Sequence, residues 1–278
     1  MNRQALLPLV TYPDPISDAV AANAASMAAC LDAELHALAL NVDIPPVSNT
    51  LSRFLLNTPD MIRRAEVISK KRGDELVAAV GEEAKRVGVE LTTNSVAAAP
   101  AFLGDAAASY ARYFDLALIG LEANNPTSRM TAEAVVFGAG RPTILIPELS
   151  RPGAIDHVAI AWDGSRVAAR AVADAGWLLE RATKVSVLTV VDEKPLHDTG
   201  AGERLATSLR KHGTSAEALA IRAEDCEIST TLQEHALELG AALLVMGGYG
   251  HSRVRDFVLG GATEGVLSDL RLPVLLSH

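Results

Sequence analysis

Leu243-Leu-Val-Met-Gly247-Gly-Tyr-Gly250-His-Ser-Arg253-Val-Arg-Asp-Phe-Val-Leu-Gly260-Gly261 joins an apolar run to a glycine-rich loop, and that junction decides the fold. The run Leu243–Met246 has the length of a buried strand and stops at Gly247. Five glycines fall within fifteen residues, and a helix-compatible stretch follows Gly261. Glycine has no Cβ and tolerates positive φ, so such a loop turns sharply and brings backbone N–H groups to a ligand. Amides converging at a helix N-terminus favour anions, phosphate above all. The same glycines also serve as tight strand-to-helix turns, and both readings stand at this point.

The strand-loop-helix unit recurs along the chain. Strands are expected at Ala5–Val10, Glu34–Asn41, Glu90–Val96, Asp115–Gly120 and Thr143–Ile146. A second set is expected at His157–Ala161, Lys184–Val191, Ser215–Ile221, Ala242–Gly247 and Val274–Leu276. Between them lie helical patterns; Val167, Ala171, Val172, Ala175, Leu178 and Leu179 form an apolar stripe at helical spacing. Alternating βα units with apolar strands imply an α/β fold, parallel sheets and right-handed crossovers. Asp115-Leu-Ala-Leu-Ile-Gly120 echoes Ala242-Leu-Leu-Val-Met-Gly247, and Arg141-Pro-Thr-Ile-Leu-Ile-Pro147 echoes Leu272-Pro-Val-Leu-Leu276. The chain therefore reads as a duplicated domain, 1–148 and 153–278, joined near Glu148–Gly153. Terminal strands leave backbone groups unpaired, so Thr143–Ile146 and Val274–Leu276 are where the two domains are expected to pair, with homodimerisation a further expectation. Asp43–Asp60, with Leu51, Phe54, Leu55 and Leu56, has no counterpart in the second half. It reads as a surface loop with a short helix, or as a lid or subunit contact.

Composition narrows the function. Hydrophobic residues make up 49% of the 278 residues but aromatics only 4%, the Ala/Val/Leu content of helices packed on parallel sheets. The formal charge of −9 is shared by both halves, so no basic arm offers a nucleic-acid surface. A single nucleotide remains compatible, because a local amide nest holds phosphate on an acidic protein. Cys30 and Cys226 give no disulfide framework and fit a reducing compartment. No apolar run approaches membrane-spanning length, and the opening Met1–Val10 reads as a strand rather than a signal peptide, so a cytoplasmic protein is expected.

A second motif lies at the start of the second half. His157-Val-Ala-Ile-Ala161 ends in Trp162-Asp163-Gly164-Ser165, and a helix follows. In open α/β sheets ligands sit beyond the carboxyl ends of strands where strand order reverses. A carboxylate at Asp163 and an amide-rich loop after Gly247 would share that crevice if their strands are neighbours. Asp163 or Ser165 also suits a helix N-cap, which is compatible with ligand binding.

The strand ending in Asp163-Gly-Ser and the Gly-x-x-Gly-x9-Gly loop from Gly247 resemble the universal stress protein family, as does the closing Pro273-Val-Leu-Leu276 strand. The resemblance spans the chain as a tandem pair, stronger in 155–278 than in 1–148. It implies a five-stranded parallel sheet per domain, order 3-2-1-4-5, and in some members binding of ATP or another adenine nucleotide, with or without Mg. It points to Asp163 for the adenine, Val190 and Val191 beside the base or ribose, and Gly247, Gly250 and Gly260 for ribose and phosphates. The family's Ser or Thr after the last glycine is Gly261 here, which removes a hydroxyl worth about 1–3 kcal/mol to a phosphate. Thr263 lies two residues on. Arg253 reads equally as a phosphate contact and as a solvated cation. In the first half, Leu121-Glu122-Ala-Asn-Asn-Pro126 lacks the glycines, Glu122 repels phosphate, and Pro126 lacks an amide donor. Asp14 is the only echo of Asp163, so this half is expected to be a structural or regulatory partner without nucleotide.

No catalytic or metal-ligating residues emerge. The seven histidines are scattered, without metal-ligand spacing. His251-Ser252 are adjacent without a nucleophile elbow, and neither a phosphate-loop nor a kinase motif occurs. Gly248-Tyr-Gly250 begins a dinucleotide fingerprint that Arg253 breaks. Glu82 and Glu83 read as a solvated helix face. A stress-response module acting by binding and regulation is favoured over a slow ATPase or nucleotidyl-transfer enzyme, and over a structural stress factor that binds no nucleotide.

Overall fold

The computed structural model describes residues 3–46, 57–148, 152–192, 200–248 and 261–278. They divide into two compact units, Met1–Ala139 and Gly140–His278. The expected strands all form, with ends within two residues of the sequence reading.

The first unit runs β1 (Arg3–Val10), α1 (Asp18–Cys30), β2 (Ala33–Val42), α2 (Thr58–Val87), β3 (Leu91–Ala98), a 3₁₀ turn (Pro100–Phe102), α3 (Leu103–Ala111), β4 (Leu116–Leu121) and α4 (Pro126–Gly138). Its strands are parallel in the order β3-β2-β1-β4. Every residue of β4 is buried, as a strand covered on both faces requires. Ser17 caps α1 by accepting from the Val20 amide, and Asn125 caps α4 by accepting from the Ser128 amide. Of the Asp43–Asp60 segment, residues 47–56 lie outside the described residues, with Leu51, Phe54, Leu55 and Leu56 among them.

The second unit runs β5 (Thr143–Pro147), β6 (His157–Ala161), α5 (Arg166–Asp174), α6 (Gly176–Arg181), β7 (Lys184–Val190), α7 (Ala201–Lys211), β8 (Ala216–Ile221), α8 (Ile228–Glu238), β9 (Leu243–Gly247), α9 (Ala262–Ser268) and β10 (Val274–Ser277). Strands β8-β7-β6-β9-β10 form the expected parallel 3-2-1-4-5 order. The expectation of wholly parallel sheets needs one correction, because β5 pairs antiparallel with β10, Ile144 facing Leu275. The free edge of β10 accepts a strand of either direction, and the sheet is mixed. Thr143–Pro147 falls within the second unit. The apolar stripe after Val167 buries Ala171, Ala175, Leu178 and Leu179, while Val172 is only half-buried. The stripe spans two helices, α5 and α6, with Ala175 between them.

Two glycines set the approach of helix to sheet. A Cβ on Gly120, in β4, would lie 1.9 Å from Val20 Cγ1 of α1. One on Gly247, ending β9, would lie 2.6 Å from the Ala168 nitrogen and the Val167 carbonyl carbon of α5. Each is the place where the helix after the first strand of a repeat crosses the fourth strand, and only glycine fits.

Candidate functional site

Strand β6 has β7 on one side and β9 on the other, so the carboxyl ends of β6 and β9 meet at the point where strand order reverses. The neighbour relation required of Asp163 and Gly247 is therefore met. Asp163 is exposed, and its Oδ1 accepts the Ser165 amide at 2.9 Å. This short turn, with Gly164 at φ 76°, leads into α5, where Ser165 Oγ caps the Ala168 amide at 3.2 Å. Ser165 thus takes the capping role, and Asp163 Oδ2 has no partner among the described residues. On the next strand Val190 is half-buried and Val191 is 41% exposed, an apolar wall at the same end of the sheet.

The glycine loop divides. Gly250, Arg253 and Gly260 lie outside the described residues. Gly247 is accounted for by the passage of α5, and the Gly248 amide is given to the Ser277 carbonyl at 2.7 Å. Gly261 sits at the N-cap of α9 at φ −75°, exposed, without a side-chain cap, and with nothing within 4 Å of an added Cβ. No backbone demand explains glycine there. Thr263 is 5% exposed on the packed face of α9, two residues beyond Gly261.

Sequence reasoning missed a set of buried polar atoms that have no hydrogen-bond partner among the described residues. Trp162 Nε1, Thr189 Oγ1 and Ser277 Oγ lie at or just beyond the carboxyl ends of β6, β7 and β10. Thr143 Oγ1, where β5 starts against Leu276 of β10, is a fourth. A further such atom, Asn41 Oδ1, lies near the carboxyl end of β2 in the first unit. Such atoms are rare and costly, and the four of the second unit gather at one end of it, which marks that end as a place for a polar partner. Periodicity gives no signal for them, because each sits in an apolar strand context. Asp192 was also missed. Its carboxylate accepts the Ala223 and Glu224 amides at 2.8 and 3.1 Å, and those bonds hold its pKa below the ordinary value. It fixes the loop after β8 beside the end of β7.

The matching place in the first unit is filled by the chain itself. Glu122 Oε1 accepts the Ser17 amide at the N-terminus of α1, at 2.6 Å, and Oε2 accepts Asn125 Nδ2 at 2.9 Å. Asn125 Nδ2 also donates to the Asp14 carbonyl, and Thr127 Oγ1 donates to the Asp14 carboxylate at 3.0 Å. An internal carboxylate thus stands where an anion would be drawn by the helix end. Among the described residues no group of His, Cys, Asp and Glu is placed to hold a metal ion.

The universal stress protein family model matches residues 154–278. Residues 154–278 are a universal stress protein domain. Over the whole chain the fold is that of a universal stress protein from Archaeoglobus fulgidus DSM 4304, at 14% identity, TM-score 0.69, and coverage of 99% of this chain and 96% of that one. A functionally unknown protein from Pseudomonas aeruginosa PAO1 is similar at 16% identity and TM-score 0.54, covering 99% and 92%. Comparison with curated proteins gives no match. In the universal stress protein domain, the Asp163 turn, the Val190–Val191 wall and the unpartnered polar atoms all lie at the carboxyl end of the sheet. No described helix is long and apolar enough to cross a membrane.

Proposed function

We propose that the second half binds an adenine nucleotide, ATP, ADP or AMP, at the carboxyl ends of β6, β7 and β9, and acts in the stress response by occupancy rather than turnover. The observation that carries this reading is Asp163 at the switch point, with one carboxylate oxygen unused among the described residues. In the proposed arrangement that oxygen accepts the base amine, Val190 and Val191 flank the base or ribose, and the loop with Gly250, Arg253, Gly260 and Gly261 receives the phosphates, with or without Mg. Gly247 and Thr263, on the two flanks of that loop, complete the proposed binding set. The first half, 1–148 in this reading, binds no nucleotide because Glu122 already holds the helix end. We further propose that 1–148 pairs with 153–278 within the chain, and that the cytoplasmic protein homodimerises, which fractionation and light scattering check.

Calorimetric titration of nucleotide-stripped protein with MgATP, and with AMP in parallel, tests the reading. One saturable site per chain, lost in Asp163→Ala, is expected. Two sites would overturn the assignment of the first half, and no heat at protein concentrations that detect tens of micromolar affinity would overturn nucleotide binding altogether. Phosphate release above background, abolished by Asp163→Ala, would replace occupancy by turnover.

A further inference from the structure

The 30-residue helix α2 carries two stripes on opposite sides. The inward one, Ser69, Gly73, Leu76, Val80 and Ala84, is buried where the helix packs on α1 and β2. The outward one recurs at alternating steps of three and four residues from Met61 to Lys85, and every member of it is exposed. It runs about 36 Å along the helix. Its apolar members are Met61, Ile68 and Ala78, with Met61 60% and Ile68 61% exposed, and Val67, equally exposed, flanks the seam. Single exposed apolar side chains are ordinary, but two large ones a heptad apart on one seam are what a partner helix covers.

The charged members decide which partner fits. In chain order they are Arg64, Lys71, Glu75, Glu82 and Lys85. Two copies of the stripe laid in the same direction set Arg64 on Arg64, Lys71 on Lys71 and Glu75 on Glu75, all of them like pairs. Laid antiparallel about Gly73, each position meets the one equally far on the other side of that glycine. Arg64 then meets Glu82, Lys71 meets Glu75 and Ile68 meets Ala78, and each pairing occurs twice. At the ends Met61 meets Lys85, whose methylene stem covers it while the ammonium stays in water. Within one chain Lys71 Nζ lies 3.6 Å from Glu75 Oε1, and Lys85 Nζ lies 3.2 Å from Glu82 Oε1. In the antiparallel pair the two Lys71–Glu75 pairs close into a ring of four alternating charges. Isolated surface ion pairs contribute little, so burial of Met61, Val67 and Ile68 supplies the attraction, and the charges set direction and register.

Resting on the homodimerisation proposed above, we propose that the dimer forms through this face of α2, packed antiparallel on α2 of a second copy of the chain, with Arg64–Glu82 and Lys71–Glu75 as the crossing ion pairs.

Sedimentation equilibrium of the full chain tests this with two charge-reversed variants. Arg64→Glu with Lys71→Glu gives the middle of the seam one negative sign, and Glu75→Lys with Glu82→Lys gives it one positive sign. Wild type is expected to associate reversibly to a dimer. Each variant is expected to stay monomeric at the same concentration, and an equimolar mixture of the two to return to dimer mass. Ala78→Leu, which enlarges the contact with Ile68 of the second copy, is expected to tighten the dimer several-fold. Raising salt from about 0.05 to about 0.5 M should loosen it, since screening weakens opposite charges and would instead favour a like-charge parallel pairing. All these positions are exposed, and Ala78→Leu and the salt titration read the same face without reversing a charge. A wild type that stays monomeric at every concentration overturns homodimerisation itself. A dimer that persists in both variants leaves homodimerisation standing and overturns α2 as its surface. So does a mixture that stays monomeric while both variants melt as wild type does, a dimer indifferent to Ala78→Leu, or one tightened by salt.

Discussion

Replacing Glu122 tests whether the first unit's own carboxylate is an anion placed for the end of α1. The side chain is half-buried and makes a 2.6 Å bond to the Ser17 amide and a 2.9 Å bond to Asn125 Nδ2. A charge-assisted hydrogen bond contributes about 1.5–3 kcal/mol, and attraction to a helix N-terminus about 0.3–1 kcal/mol. Water replaces part of both at a half-buried position, so Glu122→Ala is expected to cost about 1–2 kcal/mol after that discount. Glu122→Gln keeps an acceptor for the Ser17 amide and loses the charge, which leaves a cost of about 0.5–1 kcal/mol. For a unit of this size the alanine variant should melt roughly 3–8 °C lower. Chemical denaturation at low and high salt reads the effect, because only the charge component is screened. The expected order is wild type, then Gln, then Ala, with the wild-type–Gln gap narrowing in salt. Equal stability of all three would refute the reasoning, and so would a gap indifferent to salt.

Gly261→Ser should be accepted without strain and add an N-cap to α9, worth a few tenths of a kcal/mol over glycine. If the loop holds phosphates, the new hydroxyl should tighten ATP roughly tenfold or more in calorimetry, and AMP less. Gly247→Ala forces backbone atoms of α5 apart, whereas Gly120→Ala meets a side-chain methyl of Val20. Denaturant titration should therefore show the larger loss at Gly247, with Gly120→Ala, costing about 1–3 kcal/mol, largely restored by Val20→Ala. Burial holds the pKa values of His36 and His157 below 6.5, so the unfolded chain takes up protons first as pH falls. Stability present above that value should decline toward pH 5.5, and the combined His36→Gln, His157→Gln variant should flatten the slope in denaturation at each pH.

The strand pattern was legible because parallel strands buried on both faces read as unbroken apolar runs. Leu116–Leu121 and Leu243–Met246 are such runs and appear where expected. The Asp163 turn was legible too, since an Asp-Gly-Ser sequence after a strand has few conformations open to it. The meaning of individual glycines was not. Gly247 and Gly261 look alike in sequence, yet one lies within van der Waals distance of α5 and the other faces open space. That difference depends on a helix eighty residues away in the chain and leaves no local mark. The Glu122 bond to Ser17, and the hydrogen bonds that join His157 Nε2, Ser186 Oγ and Glu217 Oε1, were hidden for the same reason. Each joins residues far apart in sequence, and each partner alone is an ordinary surface or strand residue.

The two repeats share one packing device and differ in what ends it. In both, a glycine in the fourth strand lets the first helix of the repeat cross closely, so Gly120 serves α1 as Gly247 serves α5. The residues beyond that crossing are then free of the packing constraint. In the first unit they became Glu122 and Asn125, which tie the helix end to its own chain and satisfy it internally. In the second unit the helix start is capped by Ser165, while Asp163 keeps an oxygen unused and buried polar atoms at the strand ends have no partner among the described residues. A helix end that already holds its own carboxylate has little to gain from an anionic ligand. A repeat that leaves donors and acceptors unpaired gains the cost of each unpaired group when a ligand arrives. On the proposed reading, added nucleotide is expected to raise the melting temperature of the second unit without any shift in the first, and a shift in both would refute it.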